Sequence, residues 1–441
     1  MQTKLFIGGE FVDGLAGGTI PVFNPYSGEV LCEIAEARAE DVDRAVAAAR
    51  AAQPAWGRAD AAERGNLLLK LADAIDAHAE ELIVLEALDT GHPVRDARKL
   101  DVPRTSRCFR YFGGMADKFE GFVPPVYPGF INYVQREPVG VVGQIVPWNF
   151  PLMFTSWKMA PALAAGNAIV IKPSELTPLS TLRVAELMRE VGFPAGVVNV
   201  VPGYGQTAGA RIAEHPEIGK IAFTGSTATG RRIVTASAGN LKKVQLELGG
   251  KGPNIVFGDA NIRAAIGGSA FAIFHNQGQA CIAGSRLILH KSIADEFIDG
   301  FTRFAKSIRL GDPLDPATEM GPLTSRQHQE RVLHFSQVAK DEGGEIVTGG
   351  KRPDRDDLAN GYFVEPTIVL AKPTDRVSQE EVFGPFVTVT TFEEDEEALA
   401  IANGVQYGLG SGLWTNNLTR AHKMARDIRA GMVWINCYKV V

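Results

Sequence analysis

Cysteine is scarce in this sequence: four residues, at 32, 108, 281 and 437, stand in 441. None falls in a CxxC spacing, and four are too few to frame so long a chain with disulfides, so a cross-linked secreted scaffold is excluded and a reducing compartment fits. The eight histidines form no HxxxH pair and no Cys/His cluster, so no metal is expected. No unbroken apolar run approaches the roughly 18 residues of a membrane span, and the short run in MQTKLFIGGEF cannot be a signal-peptide core. Nor is there a basic excess. Charged residues make up 22% with a formal net charge of −6, and no Lys/Arg block could follow a phosphate backbone. Nucleic acid and membrane are therefore not expected as partners, and the expected location is cytoplasmic.

What is present is a large apolar share, 45%, enough for two or three domains of roughly 150 residues each. Residues 41–53 (DVDRAVAAARAAQ) and 61–88 place apolar side chains at helical spacing, and the first hundred residues read as mostly helical. Between 117 and 138, prolines and glycines interrupt short apolar-aromatic runs, the pattern of a protruding hairpin or arm. From 139 the runs VGVVGQIVP, AIVIKP, GVVNVVPG, KIAFTG and KVQLEL alternate with helical segments, which predicts a parallel sheet of βαβ units. A second set, RLILH, PTIVL, FVTVTTF and MVWIN, predicts a second α/β domain.

Dinucleotide sites in parallel sheets place a glycine-rich turn at a helix amino terminus, where free N–H groups receive the pyrophosphate. No GxGxxG is present. The nearest segments are PGYGQTAG, containing Gly205, and FTGSTATG, where Gly225 and Gly230 bracket an expected helix start at Ser226. Either could equally be a structural turn. Lys172 and Glu175 follow a strand end in IVIKPSELTP; they are solvated surface charges or, at that place, ligand contacts. In VPWNFP, Asn149 is held between Trp148 and Phe150 on a stiff loop, which either packs two aromatics or presents an amide to an oxyanion. Glu247 ends a strand in LELGGKGP; an apolar flank would desolvate it and raise its pKa toward that of a general base. Cys281, in FHNQGQACIAGSR, lies among small and amide-bearing residues between glycines at 278 and 284, where a buried structural cysteine would have bulky apolar neighbours. Those neighbours read as chosen for access.

Taken in order, PWNFP, KPSELTPL, FTGSTATG, LELGGKGPN, NQGQACIAGSR and EEVFGPF resemble the NAD(P)-dependent aldehyde dehydrogenase superfamily across nearly the whole chain. The resemblance implies an α/β fold with a Rossmann-like NAD-binding domain (1–116 and 139–248), a catalytic α/β domain (249–430), and an oligomerisation arm (117–138 and 431–441). It implies Cys281 as nucleophile, Glu247 as general base and Asn149 as oxyanion donor. Lys172, Glu175, Ser226, Gly225, Gly230, Trp148, Gly205, Glu381 and Phe383 become expected cofactor contacts, with NAD preferred over NADP because Glu175 would repel a 2′-phosphate.

The implied product is a free carboxylic acid, since relatives that pass the acyl group to coenzyme A generally lack the glutamate at 247. Phe150, Met153, Phe154, Trp157 and Ile282 are expected to line an apolar tunnel for a medium-length aliphatic or aromatic aldehyde, with betaine aldehyde and aminoaldehydes left open. A homodimer or homotetramer is implied. Members of the family continue past a motif like GMVWINCY, whereas this sequence stops at KVV, so impaired assembly and an open tunnel are expected. Two other functions stay open: a cofactor-independent thiol esterase and a non-catalytic homologue. The nucleotide-type unit argues against the first, and the intact Cys281, Glu247 and Asn149 against the second.

Overall fold

A computed structural model describes residues 1–440. They divide into two compact units, one of Met1–Asn24, Glu29–Thr90 and Asp96–Glu247, the other of Pro25–Gly28, Gly91–Arg95 and 248 onward. Among the described residues no helix is long and apolar enough to cross a membrane.

The first unit begins with four strands rather than helix: β1 (Leu5–Ile7), β2 (Glu10–Val12), β3 (Thr19–Phe23) and β4 (Val30–Ala35). Three-residue strands are too short to show a period-two pattern, which is why the sequence concealed β1 and β2. They pair as a hairpin, Leu5 opposite Val12, closed at Gly8 and Gly9. The expected helices follow at Ala39–Arg58, Ala61–Ala77, Ala79–Thr90 and Val102–Met115.

The remaining strands of this unit are β5 (Val141–Ile145), β6 (Ala168–Lys172), β7 (Val198–Val200), β8 (Lys220–Thr224) and β9 (Lys243–Glu247). The seven-stranded sheet runs β2-β1-β7-β6-β5-β8-β9, parallel from β7 to β9. β5 and β6 are buried along their whole length, as strands covered on both faces must be. From β5 the chain moves outward through β6 to β7, then returns to the other side of β5 with β8. That reversal between β5 and β8 is the switch point at which open α/β sheets bind ligands, outside the carboxyl ends of the strands. Residues 117–138 carry one antiparallel bridge, Phe122 to Val134, and are otherwise irregular, with Tyr127, Phe130, Ile131 and Tyr133 exposed.

The second unit holds β10 (Pro253–Val256), β11 (Arg286–His290), β12 (Glu345–Thr348), β13 (Thr367–Leu370), β14 (Phe386–Phe392), β15 (Gly410–Trp414) and β16 (Met432–Ile435). Their order is β12-β13-β14-β11-β10-β15-β16, with only β12 antiparallel. Its core includes Phe257, Ile288, Phe392, Leu413 and Met424. MVWIN, read above as a strand but assigned by the resemblance to the arm, is β16: Gly412 lies opposite Trp434 in a parallel pair that extends this sheet. Its apolar residues are drawn to the sheet edge by the backbone partners that β15 offers.

Candidate active site

Four of the polar segments singled out above sit at the carboxyl edge of the first sheet. β5 leads into Pro147–Phe150, and Asn149 is buried there. The Trp148 carbonyl accepts from Thr177 Oγ1 at 3.1 Å. Helix Pro151–Ala164 starts at once, with proline in its first turn, where no N–H is needed. Its Leu152 N–H donates to Glu86 Oε1 at 3.2 Å. Burial, reinforced by Asp101 and Asp89, pushes the Glu86 carboxyl well above its ordinary range. The loop carrying Asn149 is therefore pinned by the sheet on one side and by a buried side chain on the other.

At the end of β6, Lys172 is buried, and its Nζ donates to the Pro173 carbonyl (2.8 Å) and to Glu175 Oε2 (3.0 Å). Burial lowers the lysine pKa while Glu175 opposes it. At the end of β8, Gly225 N–H donates to the Glu247 carbonyl at 3.0 Å, tying β8 to the end of β9. Ser226 caps helix Thr227–Ser237, its Oγ accepting from Thr229 N–H at 3.2 Å, and Gly230 is buried inside that helix. Gly205 opens the turn Gly205–Gly209, and a Cβ added to it would meet nothing within 4 Å.

Glu247 departs from expectation. The apolar flank that was to desolvate it is not found; the residue is exposed at the end of β9. The sequence reading overlooked its electrostatic neighbour, Lys158, a buried lysine in the otherwise apolar helix PLMFTSWKMAPALA. Burial pushes Lys158 down to about 8, and Glu247 opposes that shift. A single lysine in so apolar a helix was the available signal. On the same helix and at its cap, Phe150, Phe154 and Trp157 form a chain of edge-on rings, with centroids 6.3 and 5.3 Å apart. Met153 and Phe154 are buried, whereas Trp157 is exposed.

In the second unit the chemistry gathers at the amino ends of the strands. Cys281, in no disulfide, is half-buried in the turn before β11. The preceding residues Asn276, Gln277 and Gly278 all have left-handed backbone, φ 52, 54 and 71°. Gln277 Nε2 donates to the Gly91 carbonyl at 2.8 Å, and Gln279 Oε1 accepts from Thr324 N–H at 3.0 Å. The glycines flanking Cys281 answer to packing rather than access. A Cβ on Gly278 would overlap the carbonyl oxygen of Gly384, and one on Gly284 would stand 3.2 Å from the Tyr438 ring. Ile282 packs beside Trp434 and Tyr438 in this unit.

Glu381 Oε1 accepts from Gly250 N–H at 2.8 Å, and burial raises its pKa. Phe383 has φ 65°, and its carbonyl lies 2.6 Å from His328 Nε2. Lys251, also overlooked, is fully buried; its Nζ donates to the Val377 carbonyl at 2.7 Å, and burial pushes its pKa down to about 7. His92 and His275, far apart in sequence, meet edge to face at 5.4 Å, a pairing that no spacing rule could reveal.

Comparison with known proteins bears on the family and the fold. A sequence profile described as "Aldehyde dehydrogenase family" matches residues 11–441. An aldehyde dehydrogenase of Alternaria alternata is 46% identical over 442 residues, covering 100% of this chain and 88% of the relative. The crystal structure of PnpE from Pseudomonas sp. WBC-3 is similar at 71% identity and a TM-score of 0.99, and spans all of this chain and 91% of its own. The NAD+ complex of an aldehyde dehydrogenase from Bacillus cereus is similar at 46% identity and a TM-score of 0.98, over all of this chain and 90% of its own. The order of motifs, the two parallel sheets and a profile match over nearly the whole length lead to one conclusion: the chain belongs to the aldehyde dehydrogenase family.

Proposed function

We propose that this chain oxidises an aldehyde to the free carboxylic acid with NAD, using Cys281 as nucleophile, Asn149 as oxyanion donor and Glu247 as general base. The observation that carries the cofactor assignment is the carboxyl edge of the first sheet, where a capped helix start (Ser226) follows β8 at the switch point and a Lys172–Glu175 pair follows β6. This donor set fits a dinucleotide: backbone N–H groups for the pyrophosphate and a half-buried carboxylate for ribose hydroxyls. NAD is also the ligand named for the similar Bacillus cereus structure and for a second PnpE structure. Gly225, Gly230, Trp148, Gly205, Glu381 and Phe383 are the further contacts proposed.

In this reading the Cys281 sulfur attacks the aldehyde carbon, and the resulting oxyanion is held by the Asn149 amide and a backbone N–H. NAD, when bound, supplies the acceptor for the hydride whose loss converts the thiohemiacetal to a thioester. Glu247 then takes a proton from the water that attacks the thioester carbonyl, and Cys281 leaves as the thiol. The exposure of Glu247 suits that step, since its base must meet water. Phe150, Met153, Phe154, Trp157 and Ile282 are proposed to line the substrate path, favouring a medium-length aliphatic or aromatic aldehyde. The apolar segment 117–138 is proposed to dock on a second copy of the chain, giving a homo-oligomer, because so many exposed aromatics mark an interaction surface.

The experiment is NADH formation with an aldehyde panel at fixed protein concentration. Cys281→Ala should abolish both NADH formation and hydrolysis of an activated ester, because both need the same sulfur. Comparable NADH formation by the variant would remove Cys281 from the mechanism.

A further inference from the structure

The segment after β16 carries an unusual accumulation of costs at one residue. Lys439 is 6% exposed, and its Nζ has no hydrogen-bond partner among the described residues. Its backbone is left-handed, φ 56°, a conformation unfavourable for a residue with a Cβ. A buried, unpaired ammonium persists only where the surrounding structure holds it in place.

That structure is visible on both sides. Trp434 Nε1 donates to the Val440 carbonyl at 2.9 Å, closing the loop over Lys439. Tyr438 lies tilted against Trp434 with centroids 4.9 Å apart and fits against Gly284 and Gly412; a Cβ on Gly412 would collide with its ring, and one on Gly284 would stand 3.2 Å from it. Ile282 and Cys437 pack on the same cluster. Residues 434–440 are thereby clamped to residues 282–284, and Lys439 stands within electrostatic reach of the Cys281 sulfur.

We infer that Lys439 is the cationic partner of the Cys281 thiolate, holding the sulfur in its nucleophilic form before substrate arrives. Where Lys439 starts as the neutral amine, the thiol proton moves to it, the S–H bond breaking as the N–H bond forms. Where it starts protonated, the thiol proton leaves to solvent. Either route ends in the same ammonium–thiolate pair. Burial outweighs the opposing pull of the Cys281 sulfur and leaves Lys439 pushed down to about 7, so both routes operate near neutrality.

The other titratable groups on the packed elements are Tyr438, Arg286 and Cys437. Burial keeps the Tyr438 phenol protonated far above its ordinary range. Arg286, at the start of β11, is committed to the carbonyls of Lys251, Ile401 and Ala402. Cys437 lies two residues from Lys439 in the same segment and is half-buried.

The inference takes its catalytic meaning from Cys281 as nucleophile, but alkylation reads the sulfur directly, so it can fail or succeed independently of the dehydrogenase assay. The experiment is the rate of iodoacetamide alkylation against pH, without aldehyde or NAD, with mass mapping to separate Cys281 from Cys32, Cys108 and Cys437. The parent protein should alkylate Cys281 with an inflection at least about one pH unit below the ordinary thiol value of about 8.5. Lys439→Met should move that inflection up by about a unit or more and slow alkylation at pH 7 about tenfold, and Lys439→Arg should keep it low. A parent inflection at or above about 8.5 overturns the inference without any variant. So does a folded Lys439→Met protein whose profile is unchanged.

Discussion

At the carboxyl edge of the first sheet, charge is compensated: Lys172 meets the Glu175 carboxylate and a carbonyl, and Lys158 has Glu247 as its electrostatic counterweight. In the second unit, positive charge is met less directly. Lys251, before β10, and Arg286, at the start of β11, hydrogen-bond to carbonyls, with Glu381 and Glu380 opposing the shift at Lys251, and Lys439, after β16, has no hydrogen-bond partner for its Nζ among the described residues. Compensated charges suit a site that must recognise a polar molecule and release it. Buried cations without a hydrogen-bonded carboxylate instead favour whatever anion forms beside them, which suits a region where a thiolate is proposed to arise. In the proposed reading the first unit thus supplies a binding edge at strand carboxyl ends and the second a reactive region around Cys281.

The contrast can be broken most severely at the backbone of the reactive region. Gly278→Ala would force a left-handed alanine against the Gly384 carbonyl, so denaturant unfolding should show a loss of about 3 kcal/mol or more. A wild-type midpoint would show that the turn before Cys281 yields easily. At the binding edge the expected effect is smaller and concerns selectivity. Glu175→Gln removes the carboxylate proposed to repel a 2′-phosphate, and the ratio of kcat/KM for NAD over NADP should fall about tenfold, equivalent to about 1.4 kcal/mol. An unchanged ratio would place the discrimination elsewhere. The smallest effect is expected for Gly205→Ala, whose Cβ meets open space; stability should change by less than about 0.5 kcal/mol.

The binding edge was far more legible in the sequence than the reactive region. Strand runs ending in PWNFP, KPSE and FTGS mark their own carboxyl ends, because a parallel strand buried on both faces reads as an apolar run with an abrupt polar stop, and β9, the less buried edge strand, is marked by the two glycines after LEL. Asn149, Lys172, Ser226 and Glu247 could therefore be placed at an edge from pattern alone. The exposure of Glu247 could not, since burial depends on what packs over a strand end. Around Cys281 the local pattern misled: Gly278 and Gly284 look like neighbours kept small for a substrate, but the constraints come from Gly384 and Tyr438, about one hundred and one hundred and fifty residues away in the sequence. Lys158, Lys251 and Lys439 were overlooked for a related reason. A lysine in an apolar stretch reads as a side chain reaching for solvent, and only the packed structure shows that none of the three does. β1 and β2 escaped because three residues carry no period.

The central claim is that Cys281 and Glu247 divide the reaction, the first making the thioester and the second supplying the base that hydrolyses it. Stopped-flow NADH formation by Glu247→Gln measures that division directly. A burst of NADH close to one per active site, followed by a slow steady state, is the predicted result, because attack and oxidation need the sulfur, the oxyanion donor and NAD but not the base, whereas release needs the base. Steady turnover at the parent rate without a burst would contradict it.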